Sequence, residues 1–137
     1  MVYQQIATAQ LNPSGWTLED KSRLMLKLYQ KALFCMDEAI ELIECGEMVA
    51  KGERLIRAQD IVWQLSDALD HRGEGREIAM NLGRLYLYVY RLLIRGNNLL
   101  DTEAIREARH LMAKLLSAWE EVSHGVEKVL PAVRARY

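Results

Sequence analysis

Only two prolines occur in the 137 residues, Pro13 and Pro131, and each lies near an end of the chain. The long stretch between them contains no proline to interrupt a helix. Cysteines are equally few. Cys35 and Cys45 stand about three turns apart on one expected helix, cannot reach each other, and read as reduced thiols. A disulfide scaffold is thereby excluded, and no CxxC or Cys/His cluster offers a metal site. Neither charge is in excess: 18 Lys and Arg against 19 Asp and Glu give a net charge of −1, with both signs mixed along the chain. That balance argues against binding nucleic acid or an anionic membrane. No run approaches the ~18 apolar residues of a spanning helix, and the first residues lack a charged region followed by an apolar one. The expectation is a cytoplasmic protein without membrane insertion.

What the chain has is apolar residues at helical spacing. They make up 50% of it, enough for a core without metals or disulfides. Thr17, followed by Glu19 and Asp20, opens a first helix over about 17–45, which Gly46 stops. Its expected core line is Leu24, Leu28, Ala32, Cys35, Ala39 and Leu42, with Phe34 exposed among the polar residues. A second helix over about 47–69 carries Leu55, Ala58, Ile61, Val62, Leu65 and Leu69 inward. The third, about 75–96, is bounded by Gly75 and Gly96. A fourth, about 101–123, is capped by Asp101 or Thr102 and presents one stripe from Ile105 to Trp119 and Val122. Residues 1–16, with Asn12-Pro13-Ser14-Gly15 as a turn, read as an arm, and 124–137 as a short tail. The expected architecture is all-α, an antiparallel up-and-down four-helix bundle.

The third helix has more apolar surface than a bundle needs. With Ile78 taken as the centre of its core stripe, Tyr90, Gly83, Ile94, Leu87 and Met80 carry the apolar arc on to about 200°, twice the usual width. The second helix repeats this, with Val49, Ile56 and Trp63 seven residues apart on a second face beside Gly52. Glycine inside a helix costs roughly 1 kcal/mol relative to alanine, so Gly52 and Gly83 imply close approach of something. That is either a neighbouring helix or the backbone of a partner. The surplus stripes accordingly need a cover: the arm, the tail, a second copy of the chain, or a ligand with an apolar face.

Catalysis finds no footing. The single Glu-x-x-His, Glu107 and His110, faces away from the helix core, whereas a di-iron bundle needs two such motifs and two further carboxylates. A phosphotransfer bundle would have to use His110, whose neighbours carry no signature. His71 and His124 fall in a loop and the tail. There is no phosphate-binding loop, serine elbow or buried carboxylate pair, so neither a catalytic residue, a metal nor a cofactor is expected.

The stretch Gly75-x-Glu77-Ile78-Ala79-x-Asn81-Leu82-x-x-Leu85-Tyr86-x-Tyr88-x-x-Arg91-x-Leu93-x-x-x-Asn97 resembles the signature of the flagellar secretion chaperone family, FliS. Leu26-x-Leu28-Tyr29-x-x-Ala32 resembles that family's first helix, and Ala50-Lys51-Gly52-Glu53 with Ala58-Gln59-Asp60-Ile61 its second. Ala118-Trp119 resembles the fourth. The resemblance implies a cytoplasmic, non-enzymatic export chaperone. Its client would be the C-terminal segment of flagellin, kept from polymerising and delivered to the cytoplasmic domain of the flagellar type III export gate. Helix-in-groove binding would then use the surplus stripes: Val49, Gly52, Ile56 and Trp63 on one wall, Met80, Gly83, Leu87, Tyr90 and Ile94 on the other. The resemblance also gives Tyr3 and Ile6 of the arm a role in covering the groove or docking on the gate. The alternative without a client is an interaction module that forms a homodimer through the exposed stripes.

Overall fold

The computed structural model describes the backbone of residues 17–136 and, Leu18 apart, the side chains as far as residue 122. Four helices follow one another: α1 (Leu18–Glu44), α2 (Met48–Asp67), α3 (Arg76–Leu99) and α4 (Thr102–Arg136), with a 3-10 turn at Gly73–Gly75 before α3. There is no strand among the described residues. Each helix packs on two others, α1 on α2 and α4, α3 on α2 and α4. With short connections this is an all-α, up-and-down, four-helix bundle. The arm 1–16, with Tyr3 and Ile6, lies outside the described residues.

Local chemistry sets the helix ends. The Thr17 hydroxyl accepts from the Asp20 N–H at 3.1 Å while the Asp20 carboxylate accepts from the Thr17 N–H, also at 3.1 Å, a reciprocal capping box. At the other end of α1 the Glu47 N–H bonds to the Leu42 carbonyl and the Gly46 N–H to that of Ile43. That pairing needs a left-handed residue, and Gly46 has φ +77°. Asp101 caps α4 by accepting from the Ala104 N–H at 3.1 Å.

Gly96 does not end α3. The helix continues to Leu99 and breaks at Leu100, which takes the left-handed conformation with φ 54°. Gly96 is instead a packing residue, because a Cβ there would meet Ile105 Cγ1 of α4 at 2.4 Å. The fourth helix also outruns the expected end at residue 123, continuing through 124–136. Pro131 removes one backbone hydrogen bond, and helix-favouring Glu127, Lys128, Ala132 and Ala135 lie on either side of it.

The inward line of α2 is as the periodicity predicts, with Leu55, Ala58, Ile61, Val62 and Leu65 all buried, and Leu69, two residues past the helix end, is buried as well. In α1 the line is turned toward Met25, Tyr29 and Met36, leaving Leu28 half-buried. Ile78 is not in the core at all; it is 62% exposed, and Val122 at the end of the α4 stripe is exposed as well. The cause is Tyr86. Its ring points inward, Ala79 and Leu93 lie seven residues to either side on the same line, and Ile78 falls about 100° away. The Tyr86 hydroxyl meets that of Tyr29 across the core, and the Trp119 indole N–H donates to Tyr29 at 3.0 Å. This polar trio, its two phenols buried and its indole half-buried, joins α1, α3 and α4, and burial pushes the Tyr86 phenol up to about 12. At the surface Arg54 pairs with Glu38 at 3.1 Å and Arg109 with Asp37 at 2.5 Å, tying α1 to α2 and α4.

Candidate functional site: an apolar groove between α2 and α3

The second stripes of α2 and α3 stay open in the folded chain. Val49, Ile56 and Trp63 are 80%, 54% and 56% exposed, and Leu87 of α3 is 48% exposed. Met80 is exposed beside it, while Tyr90 and Ile94 are half-buried. None of these lines can turn inward, because each helix already gives its other face to the core. At roughly 1.5 Å per residue, the line from Val49 to Trp63 is about 21 Å long, four turns of a bound helix.

Trp63, Leu87 and Tyr90 meet in a cleft of about 260 Å³ whose floor is Val62 and Tyr86 and whose rim includes Ser66. A second hollow of roughly 340 Å³ continues past Trp63 along Ser66, Asp67, Leu69 and His71. Val49, Ile56, Met80 and Ile94 lie outside both hollows. The opposite end of the seam is held by Lys51, whose ammonium donates to the Asn97 backbone oxygen at 3.1 Å and its Oδ1 at 2.7 Å. Periodicity does not single out Ser66, Lys51 or Asn97 as part of this surface. Ser66 could have been found as the residue one turn beyond Trp63, whereas the Lys51–Asn97 pairing depends on the register between two helices.

The two glycines of the stripes differ from Gly96. A Cβ on Gly52 would have nothing nearer than Asn97 Oδ1 at 3.9 Å, and one on Gly83 would touch Leu69 Cδ1 at 3.5 Å, an ordinary contact. Packing within the described residues therefore does not require glycine at either place. The closest chemistry to the groove is structural. Tyr88 donates to Glu107 at 2.6 Å, and Arg95 to Asp101 at 2.8 Å. The hydrogen bond from Arg95 and the capping N–H of Ala104 hold the Asp101 carboxyl below its usual range. Glu107 and His110 are both exposed. Among the described residues no three His, Cys, Asp or Glu side chains converge as a metal site would need. No described helix is long and apolar enough to cross a membrane.

A four-helix bundle with an apolar channel open along one pair of helices is the class of protein that fold and surface define. The relationship is closer than class. The family described as "Flagellar protein FliS" matches residues 3–126. The chain is 36% identical over 102 residues to the "Flagellar secretion chaperone FliS" of Salmonella typhimurium, covering 74% of this chain and 75% of that one. It is 32% identical over 123 residues to the "Flagellar secretion chaperone FliSB" of Pseudomonas aeruginosa, covering 89% and 93%. The Bacillus subtilis "Flagellar secretion chaperone FliS" is 30% identical over 105 residues, 77% of each. This chain belongs to the FliS family of flagellar secretion chaperones.

Proposed function

We propose that this chain is the export chaperone of a flagellin, holding its C-terminal segment as a helix in the α2/α3 groove until it is delivered to the cytoplasmic domain of the export gate. It acts in the cytoplasm by binding alone, with no reaction catalysed. The observation that carries this is the pair of apolar lines, Val49–Ile56–Trp63 and Met80–Leu87, all exposed, the second running on to half-buried Ile94, with Gly52 and Gly83 open beside them. A segment that polymerises through apolar helices must be hidden from its own kind, and a second apolar surface of matching length does that. Folding a disordered segment costs ordering entropy, so a long groove suits it better than a single pocket. Tyr3 and Ile6 cover the groove in the absence of client or meet the gate.

Titration of the full chain with the last ~40 residues of a flagellin, by calorimetry and circular dichroism, tests this reading. One-to-one binding with a negative heat-capacity change and a gain of helix is expected. Absence of binding, with a homodimer that persists when residues 1–16 are removed, would favour a client-free interaction module instead.

A further inference from the structure

The groove has charged edges as well as an apolar floor, and the spacing of both is regular. On α2, Glu53, Asp60 and Asp67 each follow an apolar groove residue (Val49, Ile56, Trp63) by four positions. On α3, Arg84 and Arg91 follow Met80 and Leu87 by the same four. A step of four residues advances about 40° round a helix, which places each charged residue just outside the apolar line and away from the neighbouring helix. The α2 edge is therefore acidic and the α3 edge basic over Arg84 and Arg91, with uncharged Asn98 at the same position after Ile94 and Glu77 one heptad before Arg84. Gly52 against Asn97 and Gly83 against Leu69 fix an antiparallel register, and it sets Asp60 across the groove from Arg91 and Asp67 across from Arg84.

These four side chains are exposed, and among the described residues they form no ion pair. Arg54, Arg95, Arg106 and Arg109, by contrast, all have carboxylate partners. The 1–16 arm contains no Asp, Glu, Lys or Arg and so offers nothing to match either edge. The apolar residues themselves repeat every seven positions on both helices, the period of a coiled-coil seam, which favours an occupant lying along α2 and α3 rather than across them.

We infer that the occupant is a heptad-patterned helix with acidic residues along the edge meeting α3 and basic residues along the edge meeting α2, and that these edges fix the direction in which it lies. This rests on the groove reading above and adds the chemistry and polarity of the client segment. Reversing a helix end for end exchanges its two edges, so opposite charges on the two rims accept one direction and oppose the other.

Two synthetic peptides with one leucine heptad stripe test it, one with glutamate on one edge and lysine on the other, its twin with glutamine on both. The charged peptide should bind the full chain about tenfold more tightly at low salt, several exposed pairs each contributing a little. That advantage should vanish by ~0.5 M salt through screening. Arg84→Glu with Arg91→Glu should abolish the advantage while the glutamine peptide still binds. Adding Asp60→Lys and Asp67→Lys should restore it, with a spin label on one peptide end now reporting the opposite direction. Equal binding of both peptides, or no response to the reversal, would overturn the inference and leave the apolar groove standing. If neither peptide nor the flagellin segment binds, the groove reading falls too. If the unmutated chain sediments as a dimer that the same reversal dissociates, the occupant is a second copy and the inference is overturned.

Discussion

Replacing Gly52 or Gly83 with alanine should make this protein more stable and a worse chaperone. In a helix interior, alanine is better than glycine by roughly 0.5–1 kcal/mol, provided that its methyl group has room. It has room here: nothing described lies within 3.9 Å of a Cβ on Gly52, and only Leu69 Cδ1, at 3.5 Å, crowds one on Gly83. At this chain length ~1 kcal/mol raises the melting temperature by about 3–4 °C. If the client helix approaches these positions closely, the added methyl group overpacks that interface at a cost of ~1–3 kcal/mol, so flagellin affinity falls about 5- to 150-fold. Thermal denaturation followed by circular dichroism reads the first effect and calorimetric titration the second. Gly96→Ala is the control: its Cβ would stand 2.4 Å from Ile105 Cγ1, so the helix-propensity gain is outweighed and the bundle melts lower. If both groove variants were stabilised with undiminished affinity, the glycines would have no part in admitting a client. If neither were stabilised, the argument from Cβ space would be wrong.

The proposed groove anchors should separate binding from folding. Ile56→Asp, Trp63→Asp and Leu87→Asp, all at exposed sites, should abolish flagellin binding in titration while the far-ultraviolet spectrum stays native. Tyr86→Phe should cost roughly 1 kcal/mol in chemical denaturation, since Tyr29 keeps its bond from Trp119. The wild-type phenol is raised from 10.0 to about 12, so its contribution is complete below pH 10 and lost as the pH climbs toward 12. The Tyr86→Phe variant should lack that alkaline limb. At the acid end, Asp101 is held below its ordinary 3.8, so what it contributes is present above that value and lost as the pH falls through the lower folded one. Stability of Asp101→Asn should accordingly change less between pH 5 and pH 2, as measured by urea midpoints.

The bundle was readable because its signals are local. The Thr17 box, the Gly46 stop and the inward line of α2 depend on residues within a turn or two of one another. The exposed lines of α2 and α3 were readable as a surplus, since a helix with two apolar faces can bury only one on a small core. Periodicity could not say what covers the second face. Nor could it place Tyr29 and Tyr86, because a phenol suits a wet surface or a dry core equally until its hydroxyl partner is known, and that partner lies 57 residues away. The same blindness put Ile78 in the core, since Tyr86, eight positions on, decides the rotation of α3. Gly96 looked like a stop signal for the reason that any glycine near a helix end does. Only the docked α4, with Ile105 above it, turns it into a point of close approach.

Tyr86 belongs to two places at once. Its ring forms part of the floor of the cleft beneath Trp63 and Leu87, and its hydroxyl sits in the core against Tyr29, which Trp119 holds from α4. The floor on which a client would rest is thus fastened from below to both helices on the far side of the molecule. Wedging the two groove helices apart would strain those hydrogen bonds as well as the apolar packing. In the proposed complex the burden of changing shape would then fall on the segment that arrives, which would have to coil to fit a surface already held in place.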